Sequence, residues 1–359
     1  MGQINVLGAG VSGLTSAIFL NRAGVKVKIY ERFSDVGMNV GNNCQAIRNY
    51  DRKTDLLKEL SSLNVNIKAN PIFDIDKYAP SGRKMNVHSN SSPLFYAVMR
   101  GAQRISLDNQ LYDIASREGV DIAFNQKKTI SSGDIIAVNG LFKNMWAYGR
   151  MYTDIEVDPT RILFFMDSRY CPNGYLYLIP FGENQATVAS TSFDLTAPLP
   201  ALFDRFVEEN KVINGIVSKG TIVEKFSGSA YSNVPSTAVL SGKKFVGAAA
   251  GFVDSARGFG NIYAIRSGYL AAKSIIDKSD YDVLWKNEFE SELLKSLKRR
   301  FFLEKFDNSG YEKLIVEDKV DIKKYEKVPK SMQKLLEKTQ FNLALSDWRK
   351  KFDLSRLFS

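Results

Sequence analysis

The segment that decides the fold lies at the start of the chain and reads INVLGAGVSGLTSAIFL over residues 4–20. Residues 4–7 predict a short, mainly apolar β-strand, and the glycines that follow mark a tight turn into a helix. Gly8 allows the sharp turn, Gly10 allows the backbone to approach a pyrophosphate, and Gly13 lets the helix pack closely against the strand. The pattern therefore predicts a phosphate-binding turn at the N-terminus of a helix.

A second strand and an acidic residue complete this unit. Residues 25–30 alternate apolar and basic side chains, and Glu31 and Arg32 follow them. In a dinucleotide-binding βαβ unit, the acid after the second strand accepts hydrogen bonds from the adenosine ribose. The first N–H groups of the helix, here at Val11 and Ser12, bind the pyrophosphate. Because strand, turn, helix and acid agree, a nucleotide site is favoured over a glycine turn without a ligand.

Composition restricts the classes of site and partner. The chain has 359 residues, a formal net charge of +10, two cysteines and one histidine. The length favours two or three lobes, and Cys44 and Cys171 do not make a disulfide framework. One histidine excludes a histidine-based metal site and a serine–histidine triad, and we expect no metal. The positive charge suits an anionic partner, such as a nucleotide, an acidic lipid surface or an acidic electron carrier. Bases and acids are interleaved and no nucleic-acid motif is present, so we expect no nucleic-acid partner.

The sequence predicts neither a membrane span nor a secretory signal. No apolar run approaches the roughly 18 residues of a spanning helix, and the N-terminus lacks the basic region of a signal peptide. We therefore expect a cytoplasmic protein. Residues 298–302 and 348–352 mix bases with aromatics, as an interfacial anchor would. Helices packed on the body of the protein explain these runs as well, so peripheral contact with a membrane stays open.

A second glycine-rich stretch lies further along the chain. Residues 247–254 read GAAAGFVD, and a second pair of glycines precedes a predicted helix over 261–276. Glycines at this spacing let backbone approach a planar ring. A helix N-terminus stabilises negative charge, such as that on the N1–C2=O edge of a reduced flavin. The residues that we predict to contact a cofactor here are Gly247, Ala248, Asp254, Gly258, Phe259, Gly260, Asn261 and Ile262.

The chain resembles the flavoprotein group that contains p-hydroxybenzoate hydroxylase, and most closely its geranylgeranyl reductase family. The resemblance covers about residues 1–286 and is less specific beyond them. It rests on the GxGxxG turn at 8–13, a loop that bears Cys44, Arg104 with Leu107-Asp108, the run Tyr175-x-Tyr177-x-Ile179-Pro180, and the turn at 247–260.

The resemblance implies an α/β fold with an α+β substrate lobe. A Rossmann-like, three-layer FAD-binding domain would carry a discontinuous β-sheet substrate domain and a helical C-terminal part. The implied boundaries are 1–75, 101–150 and 241–280 for the FAD-binding domain, 76–100 and 151–240 for the substrate domain, and 281–359 for the helical C-terminal region.

The resemblance also implies a reaction. In the family, FAD faces an apolar tunnel, hydride passes from flavin N5 to an isoprenoid double bond, and the other carbon gains a proton. Cys44 stands at the position of the family's active-site cysteine and is a candidate proton donor, although a lone cysteine is often a small buried side chain. Tyr175 and Tyr177 lie on one face of a predicted strand and are candidates for the catalytic tunnel wall. Arg104 is a candidate cofactor ligand.

One dinucleotide fingerprint is present in the sequence, so we expect reducing equivalents to arrive transiently. NAD(P)H is one source, and ferredoxin is another because an acidic carrier would suit the positive charge of the chain. The expected substrate is a hydrophobic prenyl or lipid molecule.

Departures from the family pattern keep two other functions open. Ala248 replaces an acid that binds the flavin ribityl chain, Phe259 replaces the acid of a G-E-G turn, and Arg257 replaces a threonine. Losing one charged hydrogen bond costs about 1.5–3 kcal/mol. One alternative is an FAD-dependent monooxygenase of an apolar or aromatic substrate, which would share the fold. The other is a flavoprotein-derived binding protein without catalysis.

Overall fold

A computed structural model of the chain describes residues 2–50, 52–315, 319–322 and 338–357. The chain begins with the expected βαβ unit, formed by β1 (Ile4–Leu7), α1 (Val11–Arg22) and β2 (Val27–Tyr30). The two strands pair in parallel, with β1 central to its sheet.

Fifteen further strands are described. They are β3 (Asn43–Arg48), β4 (Asn70–Ile72), β5 (Asp74–Tyr78), β6 (Lys84–His88), β7 (Phe95–Arg100), β8 (Asp121–Ala123), β9 (Ile135–Ile136), β10 (Met145–Thr153), β11 (Arg161–Phe165), β12 (Gly174–Pro180), β13 (Gln185–Ser192), β14 (Thr221–Ala230), β15 (Val239–Leu240), β16 (Lys243–Phe245) and β17 (Lys319–Asp321).

The helices connect these strands and make up most of the described C-terminal part. They are α2 (Leu56–Ser62), α3 (Leu107–Arg117), α4 (Leu199–Glu209), α5 (Lys211–Val217), α6 (Asn261–Ile276), α7 (Tyr281–Trp285), α8 (Ser291–Leu303), α9 (Asn308–Leu314) and α10 (Lys338–Lys351). Short 3-10 turns cover Ile130–Ser132, Gly247–Ala250 and Leu354–Leu357, and a π-helical turn over Lys286–Glu290 joins α7 to α8.

A six-stranded sheet forms the nucleotide-binding layer, with the strand order β15-β16-β9-β1-β2-β8. All of its pairings are parallel except that of β15 with β16. Helix α1 buries Leu14, Ala17 and Ile18 completely. Helix α6 packs directly on α1, since a Cβ on Gly268 would overlap the carbonyl oxygen of Ser12. The two helices that begin at the glycine-rich turns are therefore close neighbours.

An eight-stranded sheet forms the second lobe, with the order β14-β10-β13-β12-β11-β5-β6-β17. On one face, Phe203 and Phe206 of α4 pack with Leu178 of β12. On the other face, Ile179 packs with Cys44 from a three-stranded sheet of order β3-β7-β4. Because side chains alternate along a strand, Tyr175 and Tyr177 share the face of Ile179 and point toward the nucleotide-binding layer.

The predicted fold class is confirmed. A Rossmann-like layer, separate β-sheets and a helical C-terminal part are all present. The sequence-based domain boundaries stay predictions. Strand β16 ends at Phe245, and the chain then enters the 3-10 turn at Gly247.

The C-terminal basic runs contact the body of the protein. In α8, Arg300 is buried and its guanidinium carbon lies 3.7 Å from the ring centroid of Phe193. In the second run, the Phe352 ring centroid lies 5.5 Å from that of Tyr231, and Trp348 packs against Phe301 of the first run. Among the helices of the described ranges, none combines the length and the apolar character needed to cross a bilayer.

Candidate active site

A cavity of about 510 Å³ lies between the nucleotide-binding layer and the eight-stranded sheet. The turn before α1 lines one end of it, and the turn before α6 lines the middle. The aromatic face of β11 and β12 lines the other end. Segments that are far apart in the sequence therefore meet at one cavity.

At the end of the cavity next to α1, glycines shape the turn. A Cβ on Gly8 would lie 2.8 Å from the carbonyl oxygen of Ala137, and a Cβ on Gly13 would overlap the carbonyl oxygen of Gly8. Gly10 has no neighbour within 4 Å of such a Cβ, and it lines the cavity with Val11 and Ser12. No side chain caps the N-terminus of α1. This helix end therefore leaves space and N–H donors for a ligand anion.

Glu31 stabilises the glycine turn through backbone hydrogen bonds. Its carboxylate accepts hydrogen bonds from the backbone N–H of Ala9 at 2.8 Å and of Phe33 at 3.0 Å. Glu31 does not line the cavity, whereas Arg32 does. The predicted contact of Glu31 with a ribose stays a prediction, and the described geometry gives this residue a structural task as well.

The second glycine-rich turn supplies the middle of the wall. Ala248, Gly258, Phe259, Gly260 and Asn261 all line the cavity. Helix α6 begins at Asn261 and, like α1, has no side-chain cap. A second uncapped helix N-terminus therefore opens on the same cavity.

Three predicted residues of this turn lie behind the wall. Gly247 has a φ of +55° and packs on α1, where a Cβ would lie 2.8 Å from Ser12 Oγ. Ile262 is buried. Asp254 is also buried, and its carboxylate accepts hydrogen bonds from the N–H groups of Ala256 at 3.0 Å and Arg257 at 2.8 Å. These residues shape the turn and do not line the cavity.

Two arginines near Asp108 differ in position. Arg104 is exposed and does not line the cavity. Arg100, at the end of β7, lines it and forms two hydrogen bonds to the Asp108 carboxylate, of 2.7 and 3.0 Å. Arg100 also donates to the side-chain oxygen of Asn261, whose amide donates to Gln45 at 3.0 Å. The motif located this region, but the sequence contained no signal that separates the two arginines.

The aromatic end of the cavity contains both predicted tyrosines. Tyr175 stacks on Phe164 with ring centroids 5.1 Å apart, and Tyr177 lies 6.1 Å from Tyr175. Tyr175 donates a hydrogen bond to the carbonyl oxygen of Arg257, which joins the sheet to the second glycine-rich turn. Burial raises the pKa of Tyr177 to about 12 and that of Tyr175 well above its ordinary value. Both phenols therefore stay neutral at physiological pH.

Cys44 lies next to the cavity but not in its wall. Its neighbours on β3, Asn43, Gln45 and Ala46, line the cavity. The Cys44 thiol is completely buried and donates to the carbonyl oxygen of Pro180 at 3.4 Å. Burial raises the pKa of this thiol. Its role as a proton donor stays a prediction.

The lining residues fit a flavin dinucleotide. Two uncapped helix ends and an open glycine face the cavity. Four basic side chains line it, Arg32, Lys77, Arg100 and Arg257, and the described lining contains no carboxylate. The three arginines among them suit a pyrophosphate and an electron-rich ring. In the described part of the chain, no group of three His, Cys, Asp or Glu side chains is arranged to bind a metal ion.

Comparisons with known proteins agree with this fold. Residues 6–58 match the model of an NAD(P)-binding Rossmann-like domain. The chain is 22% identical to a digeranylgeranylglycerophospholipid reductase of Methanococcus vannielii, over 86% of this chain and 88% of the relative. It is 25% identical to digeranylgeranylglycerophospholipid reductase 2 of Methanothermobacter thermautotrophicus, over 87% of this chain and 89% of the relative.

Solved structures share the fold along almost the whole chain. A geranylgeranyl bacteriochlorophyll reductase-like protein of Thermoplasma acidophilum has a TM-score of 0.73 at 20% identity, covering 97% of this chain and 100% of that protein. A flavin-dependent brominase has a TM-score of 0.61 at 12% identity, covering 98% of this chain and 100% of its own. The resemblance to the geranylgeranyl reductase family is thus confirmed, and the chain has the fold of FAD-dependent oxidoreductases.

Proposed function

We propose that the chain binds FAD and reduces isoprenoid carbon–carbon double bonds of the geranylgeranyl type in a prenyl or lipid substrate. The observation that carries this proposal is the continuous cavity from the uncapped N-terminus of α1 to the aromatic face of β11 and β12. Relatives that match most of the chain are named digeranylgeranylglycerophospholipid reductases, which favours a prenyl substrate at the aromatic end.

In this proposal each end of the cavity has its own task. The helix N-terminus at Gly10–Ser12, with Arg32, would bind the adenosine and pyrophosphate part of FAD. The N-terminus of α6 and the turn at Gly258–Gly260 would bind the ring part. When bound, FAD supplies the hydride chemistry that no side chain can provide.

The aromatic end would hold the substrate and exclude water. Phe164, Tyr175 and Tyr177 offer ring faces to an apolar chain, and Ile75 and Ile179 extend this surface. The hydrogen bond from Tyr175 to Arg257 keeps the aromatic face at a fixed distance from the turn that would bind the ring. Hydride transfer requires that the donor and acceptor atoms be held in a fixed orientation with water excluded.

The reductant would bind transiently, as NAD(P)H or as ferredoxin. The net charge of +10 supports an acidic carrier. If ferredoxin is the donor and electrostatics guide it, the rate should fall as salt is added, because screening weakens the attraction. A ferredoxin-dependent rate that is insensitive to salt would exclude this electrostatic role.

The decisive experiment is an anaerobic spectrum of the purified protein. We expect flavin absorption that dithionite bleaches and that geranylgeraniol or a digeranylgeranyl glycerophospholipid restores, with the saturated product found by mass spectrometry. Oxygen-dependent oxidation of NADPH with a hydroxylated product would indicate the monooxygenase. Bound flavin that no prenyl substrate reoxidises, or no flavin binding at all, would contradict the proposal and favour a binding protein.

A further inference from the structure

Reduction of an unactivated double bond needs a proton donor beside the substrate, and this inference rests on the proposed function. One alkene carbon receives hydride and its neighbour must receive a proton. A proton that is delivered from a fixed side chain contributes typically about 10²- to 10⁴-fold to the rate. The donor must therefore lie in the wall of the aromatic end of the cavity.

The predicted catalytic residues are poorly placed for this step. The Cys44 thiol is buried outside the wall and hydrogen-bonded to the Pro180 carbonyl. The hydroxyl hydrogen of Tyr175 is used in the bond to the Arg257 carbonyl. Burial raises the pKa of Tyr177 to about 12, which makes its phenol a weaker acid than usual.

Lys77 lies in the wall of the cavity and carries an ammonium group, which can donate a proton. It lies on β5, directly opposite Phe164 of β11, which in turn pairs with Tyr177 of β12. Side chains directly opposite one another project from the same face of a sheet, and Lys77 lines the cavity with both aromatic residues. Its Nζ lies 5.8 Å from the ring centroid of Phe164, within range of a cation–π contact.

Apolar side chains flank Lys77 on this face of the sheet. Ile75, two residues before Lys77 on β5, and Ile162 of β11 also line the cavity. Within the described lining, the other cations are guanidinium groups. A guanidinium does not release its proton in proteins, whereas an ammonium can.

We propose that Lys77 is the proton donor of the reduction. One carbon of the double bond would accept the hydride that bound, reduced FAD supplies. Its neighbour forms a C–H bond with a proton from the Lys77 ammonium. The N–H bond breaks, its electron pair stays on Nζ, and the neutral amine regains a proton from water. The alkene would gain two electrons and two hydrogens in total, and NAD(P)H or ferredoxin would have to reduce the oxidised flavin again before the next turnover.

Three variants test this assignment with geranylgeraniol as the substrate. Lys77→Met removes the proton and keeps an unbranched apolar stem. Lys77→Arg keeps the charge but cannot release a proton. Lys84→Met is the matched control, because Lys84 is on the adjacent strand and pairs with Asp76 on the opposite face of the sheet.

We expect both Lys77 variants to bind FAD with wild-type affinity and spectrum and to lose at least about 100-fold in turnover, a typical loss for an acid catalyst. Lys84→Met should retain wild-type turnover. In D₂O, the residual product of Lys77→Met should carry deuterium without the single configuration of the wild-type product. In the wild type, phytanol, the saturated analogue, should protect Lys77 from acylation and leave Lys84 unprotected.

Each other outcome would overturn the assignment. Turnover in Lys77→Met close to that of the wild type would show that the amine is not needed. Recovery in Lys77→Arg would show that its charge is needed and its proton is not. Loss of FAD binding in Lys77→Met would indicate a structural role. Wild-type protein that reduces no prenyl substrate would refute the proposed function itself, which is a separate result.

Discussion

Arg100 and Asp108 form a two-point ion pair at the wall of the cavity, with Nε–Oδ2 and Nη2–Oδ1 distances of 2.7 and 3.0 Å. The Asp108 side chain is 0% exposed and that of Arg100 is 12% exposed. A buried guanidinium that loses its carboxylate partner is costly, because little water can replace the lost hydrogen bonds. This pair therefore anchors the end of β7 and holds the positive charge of Arg100 at the cavity wall.

We expect Asp108→Ala to lower the free energy of unfolding by about 3 kcal/mol, which is the lower end for a broken buried pair because Arg100 is partly solvated. Urea denaturation measures this change. Arg104→Ala is the matched control, since Arg104 is exposed and its removal should change stability by no more than about 0.5 kcal/mol. Equal losses in the two variants would contradict the assignment of the pair to Arg100.

These two arginines also show how far the sequence could be read. The glycine turn, Glu31 and the helix over 261–276 follow from local patterns, so their prediction required only spacing and side-chain type. The choice between Arg100 and Arg104 depends on how β7 pairs with β3, which no local pattern specifies.

Cys44 and Lys77 show the same limit of prediction from local sequence patterns. Cys44 is a candidate by its place in a motif, yet strand β3 directs its thiol into the interface between two sheets. Lys77 belongs to no motif. It reaches the cavity because β5 pairs with β11, a contact between segments that are distant in sequence. The two-residue spacing of Ile75 and Lys77 on β5 is a local signal, since it places an amine on the same face of the strand as an apolar side chain.

Gly10→Ala should separate folding from cofactor binding. Gly10 has ordinary backbone angles of φ −80° and ψ 179°, and a Cβ would meet none of the described atoms within 4 Å. The protein should therefore fold normally. The added methyl group would occupy the space beside the uncapped N-terminus of α1, where we place the pyrophosphate, so FAD affinity should fall at least tenfold, or about 1.4 kcal/mol.

Fluorescence titration with FAD and thermal unfolding check this expectation together. Gly215→Ala is the control, because Gly215 lies in helix α5 and a Cβ there would likewise meet no atom within 4 Å. That substitution should leave FAD affinity unchanged. Wild-type affinity in Gly10→Ala would exclude a ligand phosphate next to this residue.

Ala248→Asp should strengthen FAD binding. Ala248 lines the cavity, where the charged side chains of the described wall are all basic, so an added carboxylate would meet favourable potential. In the resembling family an acid at this position accepts a hydrogen bond from the ribityl chain. One charged hydrogen bond adds about 1.5–3 kcal/mol, which corresponds to roughly a 10- to 100-fold lower Kd.

Equilibrium titration of the apoprotein with FAD measures this change. Ala248→Asn is the comparison, because it offers a neutral acceptor of similar size and should give a smaller gain. A Kd in Ala248→Asp that equals or exceeds the wild-type value would place the ribityl chain away from Ala248.

The buried thiols should make the protein less stable at alkaline pH. Burial raises the pKa of Cys171 to about 12 and also raises that of Cys44. In the unfolded chain a thiol loses its proton near pKa ~8.5. Between these values the unfolded state binds fewer protons than the folded state, so the free energy of unfolding falls as pH rises. The stabilisation is complete below the unfolded pKa and is lost as pH rises through the folded pKa.

We expect a loss of about 1.4 kcal/mol per pH unit for each thiol from about pH 9 to 11, measured by urea denaturation. Tyrosines with raised pKa add to the loss at the upper end of this range. Cys171→Ala isolates one thiol, because the slope in this variant should be smaller than the wild-type slope by about 1.4 kcal/mol per pH unit. Identical slopes would mean that the Cys171 thiol ionises equally in the folded and unfolded states, in conflict with its complete burial beside the Thr191 carbonyl, 3.3 Å from Sγ.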